Sequence, residues 1–408
     1  MRIQYLSASG ELGGAEVCLL DMMASLKQEK PDWTLALIAA NDGPLLRKAA
    51  ALGVQTEVLA FPPALSRLGD SKPSGGLLAR GTLAIKLAGS FYVARKYSRK
   101  LSSRIQDFAP DLLHSNSLKM HVLGAWAKSN DVPLIWHLHD YVSSRWFMSK
   151  ALRFQRDRCA AVLANSNSVR DDARSVFGDG PEVTTLYNAI DVDEFSPDGP
   201  VADLDAMCGL QQPAAPMVRV GLVATMAWWK GHRDFLQALA TLSKSQGARV
   251  RGYIIGGALY DSEGSQESIA DLRQLAAQLG LEGRVGFTGF VDKPSDAIRA
   301  LDIVVHASTR PEPFGRVIVE AMACAKPAIT TGAGGAAELV TCGQDALTFR
   351  MGDPADLAER IGELARNAAL WRQLGAAGRK TVLEKFDRRR LGRQLADVYE
   401  RLSGTMVS

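Results

Sequence analysis

Asp302-Ile303-Val304-Val305-His306, Glu312-Pro313-Phe314-Gly315-Arg316-Val317-Ile318-Val319-Glu320-Ala321-Met322-Ala323 and Ala328-Ile329-Thr330-Thr331 follow one another as strand, loop, helix and strand. The first and last pieces are short unbroken apolar runs, as expected of parallel strands buried on both faces. The middle piece starts a helix near Gly315. The first turn of a helix has backbone N–H groups without intrahelical acceptors and the positive end of the dipole, which suits a phosphate. Gly315 lacks a Cβ, so a ligand can approach the backbone closely. Glu320 lies five residues on, ~7.5 Å along the axis at 1.5 Å per residue. A carboxylate there can accept two hydroxyl hydrogen bonds, as from a ribose. Glu312 and Glu320 thus bracket a diphosphate with hydroxyl-rich groups on either side. A helix-start proline and a surface glutamate would explain each feature alone, but not the whole run.

The same alternation extends in both directions. Before it, strands are expected at Ile3–Leu6, Leu35–Ala39, Asp111–His114, Leu134–His137, Ala161–Ala164 and Val183–Leu186. Residues 191–216 are polar and contain Pro197, Pro200, Pro213 and Pro216, which reads as a linker. The pattern then restarts with strands at Arg219–Val223, Arg251–Ile255 and Val285–Thr288. The expected fold is α/β, with two Rossmann-like, doubly wound parallel-sheet domains facing across a cleft. Their expected spans are 1–197 and 198–385, and a last helix in 386–408 has room to pack back on the N-terminal domain.

Composition narrows the class. The chain has 408 residues, 47% hydrophobic and 23% charged, with a net charge of +4. That is ordinary for globular domains and gives no reason to expect a nucleic-acid partner. Five cysteines (Cys18, Cys159, Cys208, Cys324, Cys342) without a CxxC pair argue against a disulfide framework or a zinc site. Met1–Leu6 runs straight into a strand without a secretory apolar region, and no apolar run nears the ~20 residues that span a bilayer. The expected location is the cytoplasm, or the inner face of its membrane.

From Ser71 to Gln106 there are eight basic residues (Lys72, Arg80, Lys86, Arg95, Lys96, Arg99, Lys100, Arg104) and no acid. Leu83, Leu87, Phe91, Ala94, Tyr97, Leu101 and Ile105 form a stripe at helical spacing, with Gly81 and Gly89 expected to interrupt it. An ordinary packed helix and attachment to an anionic membrane surface both fit this stretch.

The motif run resembles the donor site of the retaining glycosyltransferase family 4, which has the GT-B fold. The resemblance rests on Glu312-x7-Glu320 with Pro313-Phe314-Gly315 between, then Pro327, Thr330-Thr331 and Gly334-Gly335-x-x-Glu338. Further matches are Gly13-Gly14-Ala15-Glu16, Trp136-His137-Leu138-His139-Asp140, Tyr187-Asn188-Ala189-Ile190-Asp191 with Phe195, and Trp228-Trp229-Lys230-Gly231. It implies a metal-independent enzyme without a resident cofactor. The donor substrate is a nucleoside-diphosphate sugar, and the acceptor a saccharide or lipid-linked hydroxyl, as in envelope polysaccharide or glycolipid assembly. On this basis Glu312 orients the donor sugar, Lys230 and the N–H groups of Gly315, Arg316 and Val317 take the diphosphate charge, and Glu320 holds the ribose. His139 contacts the donor sugar, Phe290 lines the base pocket, and Gly13 and Gly14 approach the leaving phosphate or the acceptor. Thr225 stands where the family often has a diphosphate-binding arginine, and Ala325 where it has a glycine.

Other residues have weaker readings. His114, Asn116 and Lys119 follow a strand and are candidates to face the acceptor, as is Arg145. Trp146-Phe147 is expected to pack, and His137 to sit in the core on the face opposite His139. Gly10-x-x-Gly13-Gly14 is not a dinucleotide fingerprint, which disfavours a nicotinamide oxidoreductase. Asp191-Val192-Asp193 and Asp203-Leu204-Asp205 read as loop acids rather than metal ligands. A nucleotide-sugar epimerase of GT-B architecture and a silent sugar-nucleotide-binding homologue are the rival functions.

Overall fold

The computed structural model describes residues 1–66, 77–244, 249–257 and 267–404, with the side chains of 66 and 77–90 outside that description. The chain divides into two compact units, Met1–Ala189 with Arg388–Ser408, and Ile190–Asp387.

The first unit holds a seven-stranded parallel sheet. Its strands are β1 (Arg2–Ser7), β2 (Thr34–Ala39), β3 (Gln55–Val58), β4 (Leu112–Ser115), β5 (Leu134–Leu138), β6 (Ala161–Ala164) and β7 (Val183–Thr185). The spatial order is β3-β2-β1-β4-β5-β6-β7. Alternation along each strand feeds a core on either face. Ile3, Tyr5, Leu35, Leu37 and Ile135 join one core, while Leu6, Ile38, Leu134, Trp136 and Leu138 join the other. The first of these cores is closed by the helices Gly14–Glu29 and Arg389–Ser403. Gly392 allows their close approach, since a Cβ there would lie 2.4 Å from the Ser25 carbonyl oxygen.

The second unit has six parallel strands, β8 (Val218–Val223), β9 (Val250–Ile255), β10 (Val285–Gly289), β11 (Ile303–His306), β12 (Ala328–Thr330) and β13 (Leu347–Thr348). Their order is β10-β9-β8-β11-β12-β13. Val220, Leu222, Phe235, Ile254, Val305 and Ile361 lie in its core.

The stretch expected as a linker, 191–216, belongs to this second unit, and the boundary falls at Ala189/Ile190 rather than 197/198. Polar anchoring explains this. The Arg299 guanidinium donates to the carbonyls of Pro200 (2.7 Å) and Glu194 (3.0 Å). Buried Asp205 accepts from Arg219 (3.0 Å), Arg251 (2.7 Å) and the Tyr253 hydroxyl (2.7 Å). Where the chain returns, Ile190 N donates to Phe386 O at 2.9 Å.

The helix Leu77–Phe108 runs without a break, so Gly81 and Gly89 do not interrupt it. Of the apolar stripe, Leu83 and Leu87 lie outside the described side chains. Ala94, Tyr97, Leu101 and Ile105 are core residues of the first unit, while Phe91 is exposed. Of the basic residues, Lys72 lies outside the described residues, and Arg80 and Lys86 outside the described side chains. No helix among the described residues is long and apolar enough to cross a membrane.

Candidate active site

In open α/β sheets, ligands bind beyond the carboxyl ends of strands where the strand order reverses. In the second unit that reversal lies between β8 and β11. β8 leads to Thr225 and Lys230, and β11 to His306, Ser308 and Glu312. Gly231 shapes the first loop, with φ 75° and an ideal Cβ only 1.8 Å from the Ala307 carbonyl oxygen. No other residue fits there, and the turn places Lys230 against the β11 loop.

The Lys230 ammonium donates to Glu312 Oε1 at 2.5 Å. The Ser308 hydroxyl also donates to Oε1, and His306 Nε2 is 3.3 Å from Oε2. His306 is itself fixed by Thr330, Nδ1 to Oγ1 at 3.0 Å. Burial favours the neutral acid at Glu312, but Lys230 and His306 outweigh it and hold this carboxyl well below the usual 4.5. The Glu312 backbone is pinned too, its carbonyl accepting from Gly335 N at 2.8 Å. An ammonium has three N–H donors and the Glu312 bond uses one.

Gly315 starts the helix Arg316–Ala323 in a left-handed conformation, φ 98° and ψ 57°. A Cβ there would meet Ile318 Cδ1 at 2.8 Å. The backbone N–H groups of Arg316 and Val317 lie in the helix's first turn, beside the Glu312 loop. One turn on, Glu320 is mostly buried and accepts from Arg316 Nε at 2.7 Å. The Arg316 side chain therefore holds Glu320, a role beyond the backbone donation expected of it. Thr225 is half-buried after β8, and Phe290 is exposed directly after β10. Residues 258–266, which follow β9, lie outside the described residues.

In the first unit the strand order reverses between β1 and β4. Gly13 and Gly14 follow β1, and Gly13 N donates to Glu16 Oε2 at 3.2 Å. A Cβ at Gly14 would meet nothing within 4 Å, so the protein's own packing leaves space there. Asn116 follows β4. Its Oδ1 lies 2.8 Å from His139 Nε2, and its Nδ2 donates to the Ala15 carbonyl at 3.1 Å. This arrangement places the His139 proton on Nε2. Burial lowers the His139 pKa to about 4, so the ring is neutral at pH 7.

The acceptor-facing expectations divide here. His114 is buried, with Nδ1 bonded to the Tyr399 hydroxyl at 2.7 Å, and buried Asn116 is tied to His139 and Ala15. Neither is placed at an open surface. Lys119 is half-buried and Arg145 is exposed, 3.4 Å from Asp140. His137 is buried as expected but on the same side as His139, their ring centroids 4.1 Å apart. Residues two apart in a strand share a face. Trp146 and Phe147 are exposed rather than packed. Asp191 Oδ1 accepts from the backbone of Asp193 and Glu194, and Asp205 is held in the arginine network, which gives both acids structural work.

His306 and Ser308 were not anticipated. His306 ends β11, the same kind of strand-end position that singled out His139. Nothing local in the sequence ties Ser308 to Glu312.

Comparison with known proteins places these sites in a family. Residues 12–194 match the model of Glycosyltransferase Family 4, and 218–381 that of Glycosyl transferases group 1. N-acetyl-alpha-D-glucosaminyl L-malate synthase of Bacillus anthracis is 23% identical over 315 residues, 74% of this chain and 79% of that protein. D-inositol 3-phosphate glycosyltransferase 2 of Catenulispora acidiphila is 26% identical over 353 residues, 78% and 79% of the two chains. The Anabaena protein HepE, solved with UDP-glucose, superposes with a TM-score of 0.78 at 27% identity, covering 98% of this chain and 100% of that one. The two family models lie in sequence order, one on each parallel-sheet unit, and the chain belongs to the family 4, group 1 glycosyltransferases of the GT-B fold.

Proposed function

We propose that the protein is a retaining, metal-independent glycosyltransferase that moves a sugar from a nucleoside-diphosphate sugar to an acceptor hydroxyl. One observation carries the reading: Lys230, Glu312 and the Gly315 helix start meet at the strand-order reversal of the second unit. The demand on such a site is to stabilise charge on a departing diphosphate. Lys230 and the N–H groups of Gly315, Arg316 and Val317 meet that demand in place of a metal. Glu312, held ionised among Lys230, Ser308 and His306, accepts from donor-sugar hydroxyls rather than acting as an unengaged nucleophile. Glu320 accepts from the ribose, with Arg316 orienting it. His139 contacts the donor sugar, and Phe290 offers a face to the base. The acceptor oxygen bonds to the anomeric carbon as the carbon–oxygen bond to phosphate breaks, and the acceptor proton passes to the released diphosphate.

UDP is the first nucleotide to try, given the ligand of the HepE structure. The acceptor is a saccharide or lipid-linked saccharide of the cell envelope, met at the inner face of the cytoplasmic membrane. Turnover of UDP-, GDP-, ADP- and TDP-sugars with saccharide acceptors, followed by NMR of the product anomer, tests the proposal. An axial donor giving an axial product is expected. Inversion would remove the retaining assignment, and interconversion of the sugar nucleotide without acceptor would make the protein an epimerase.

A further inference from the structure

The first unit carries an apolar groove that the reaction described above does not use. It runs between the helices Leu77–Phe108, Leu118–Ala127 and Trp146–Gln155, with a volume of about 310 Å³. Phe91, Val122, Trp126, Phe147, Met148 and Ala151 are among its walls, which are almost wholly apolar. That volume is at the small end for ligand pockets. Two of the lining aromatics are well exposed, Phe91 (58%) and Phe147 (48%), and the same two helices carry exposed Tyr92 (69%), Trp146 (63%) and Phe154 (88%). Scattered apolar surface needs no explanation, but aromatics gathered around an apolar groove mark a binding surface.

The rim is basic. The Arg95 guanidinium carbon lies 5.7 Å from the Trp126 ring centroid, and Lys150 Nζ lies 4.0 Å from that of Trp146. Lys119 is part of the lining. Residues 91–106 contain five basic residues and no acid, and residues 146–156 contain three and no acid. The acids nearest in sequence are Asp107, which pairs with Arg104, Asp140, which pairs with Arg145, and Asp157, which pairs with Arg156. A docked extended peptide would bring backbone groups that need hydrogen-bond partners. These walls offer almost none. A hydrocarbon chain needs none, and a basic rim complements an anionic head.

Position completes the argument. The helix Leu118–Ala127 starts just after β4, and Trp146–Gln155 starts just after the loop that follows β5. Lys119, Trp146 and Phe147 therefore stand at the carboxyl edge of the sheet, the edge that carries Asn116 and His139. From Lys119 to Trp126 the groove follows its helix for about 10 Å at 1.5 Å per residue.

We propose that this groove binds the hydrocarbon chain of a lipid-linked acceptor, an isoprenyl or acyl chain bearing a phosphate, with the phosphate at the basic rim. The acceptor part of this proposal rests on the glycosyltransferase function above, while the binding site stands on the groove itself.

Farnesyl phosphate, kept below its aggregation concentration, is the probe. Calorimetry on the full chain should show one saturable site, with farnesol bound several-fold more weakly and inorganic phosphate not measurably. Ala151→Trp, which fills the groove, should lower farnesyl phosphate affinity at least tenfold. Phe147→Ser, on an exposed wall, should lower it several-fold. Lys150→Glu should weaken farnesyl phosphate and leave farnesol unchanged. The thermal shift given by UDP-glucose reports folding in each variant, and if Ala151→Trp loses it, the other two variants decide. Unchanged affinity in the variants, or inorganic phosphate accounting for the binding, would overturn the proposal. So would loss in Phe154→Ser with none in Ala151→Trp, which would mean insertion of surface aromatics into a bilayer instead. Failure of farnesyl phosphate beside an intact UDP-glucose shift sinks only the groove. Farnesyl phosphate binding without any sugar-nucleotide shift sinks only the transferase mechanism.

Discussion

Lys230 and Glu312 neutralise one another in a mostly buried setting, so removing either leaves the other uncompensated. The contact of Lys230 with substrate should matter most when charge on the diphosphate is greatest, during departure. Lys230→Ala is therefore expected to lower kcat by about 10²–10³-fold, the range seen on removing one oxyanion donor. Steady-state kinetics separates this from uniform binding, for which kcat would stay and KM would rise. The same substitution has a pH signature. Glu312 is held below its usual value, so its contribution to stability is present above the unfolded carboxyl pKa and lost as pH falls through the folded one. Without Lys230 the folded pKa rises towards or past the unfolded one, so the share of acid destabilisation that comes from Glu312 should be smaller than in the wild type.

At the scale of elements, β4, β5 and the helix after β4 carry three buried histidines, His114, His137 and His121, and half-buried His139 follows β5. Burial pushes His114 down to about 3 and His139 to about 4, and holds His121 and His137 well below 6.5. The folded unit keeps these rings neutral while the unfolded chain protonates them below about 6.5. The unfolded state then binds more protons, so stability falls as pH drops from about 6.5 towards 4. Urea midpoints at pH 7 and 5 should differ, and His137→Phe should reduce the difference. A midpoint indifferent to pH over that range would mean the rings are charged in the folded state or absent from its core. The sequence showed eleven strands because central parallel strands are continuous apolar runs. It did not show β3, Gln55–Val58, a largely exposed edge strand with polar residues. The helix Leu118–Ala127 was hidden because it is buried on nearly every side and has no amphipathic period. The helix Ala368–Lys385 did not appear in the sequence reading, and its Gly375 and Gly378 are packing contacts. A Cβ on Gly375 would lie 2.2 Å from the Ala325 carbonyl oxygen. Lys230, Glu312, Gly315 and Glu320 were legible because their loops are short-range motifs. The grip of Ser308 and His306 on Glu312, and of Arg316 on Glu320, depends on how side chains turn and left no mark in spacing.

The described residues fold around two sheets, but the first is not made by the first half alone. Helix Arg389–Ser403 supplies Leu391, Leu395, Ala396 and Tyr399 to the core that also holds Ile3, Tyr5 and Met22. Tyr399 reaches both His114 (2.7 Å) and the Tyr5 hydroxyl (3.4 Å). Ending the chain at Asp387 should expose that core and abolish cooperative unfolding of the first unit, followed by circular dichroism. A truncated chain with an unchanged transition would mean the helix only covers a finished core. Donor binding is the property on which the rest depends, and ligand binding to the native state raises its stability by RT ln(1 + [L]/Kd). Calorimetric titration with UDP-, GDP-, ADP- and TDP-sugars in EDTA, on the wild type and Glu320→Ala, therefore tests the central claim most directly. One sugar nucleotide is expected to bind the wild type stoichiometrically without metal, and at least tenfold more weakly to Glu320→Ala, about 1.4 kcal/mol. Binding only after Mg²⁺ or Mn²⁺ is restored, or equal affinity in the variant, would contradict the account.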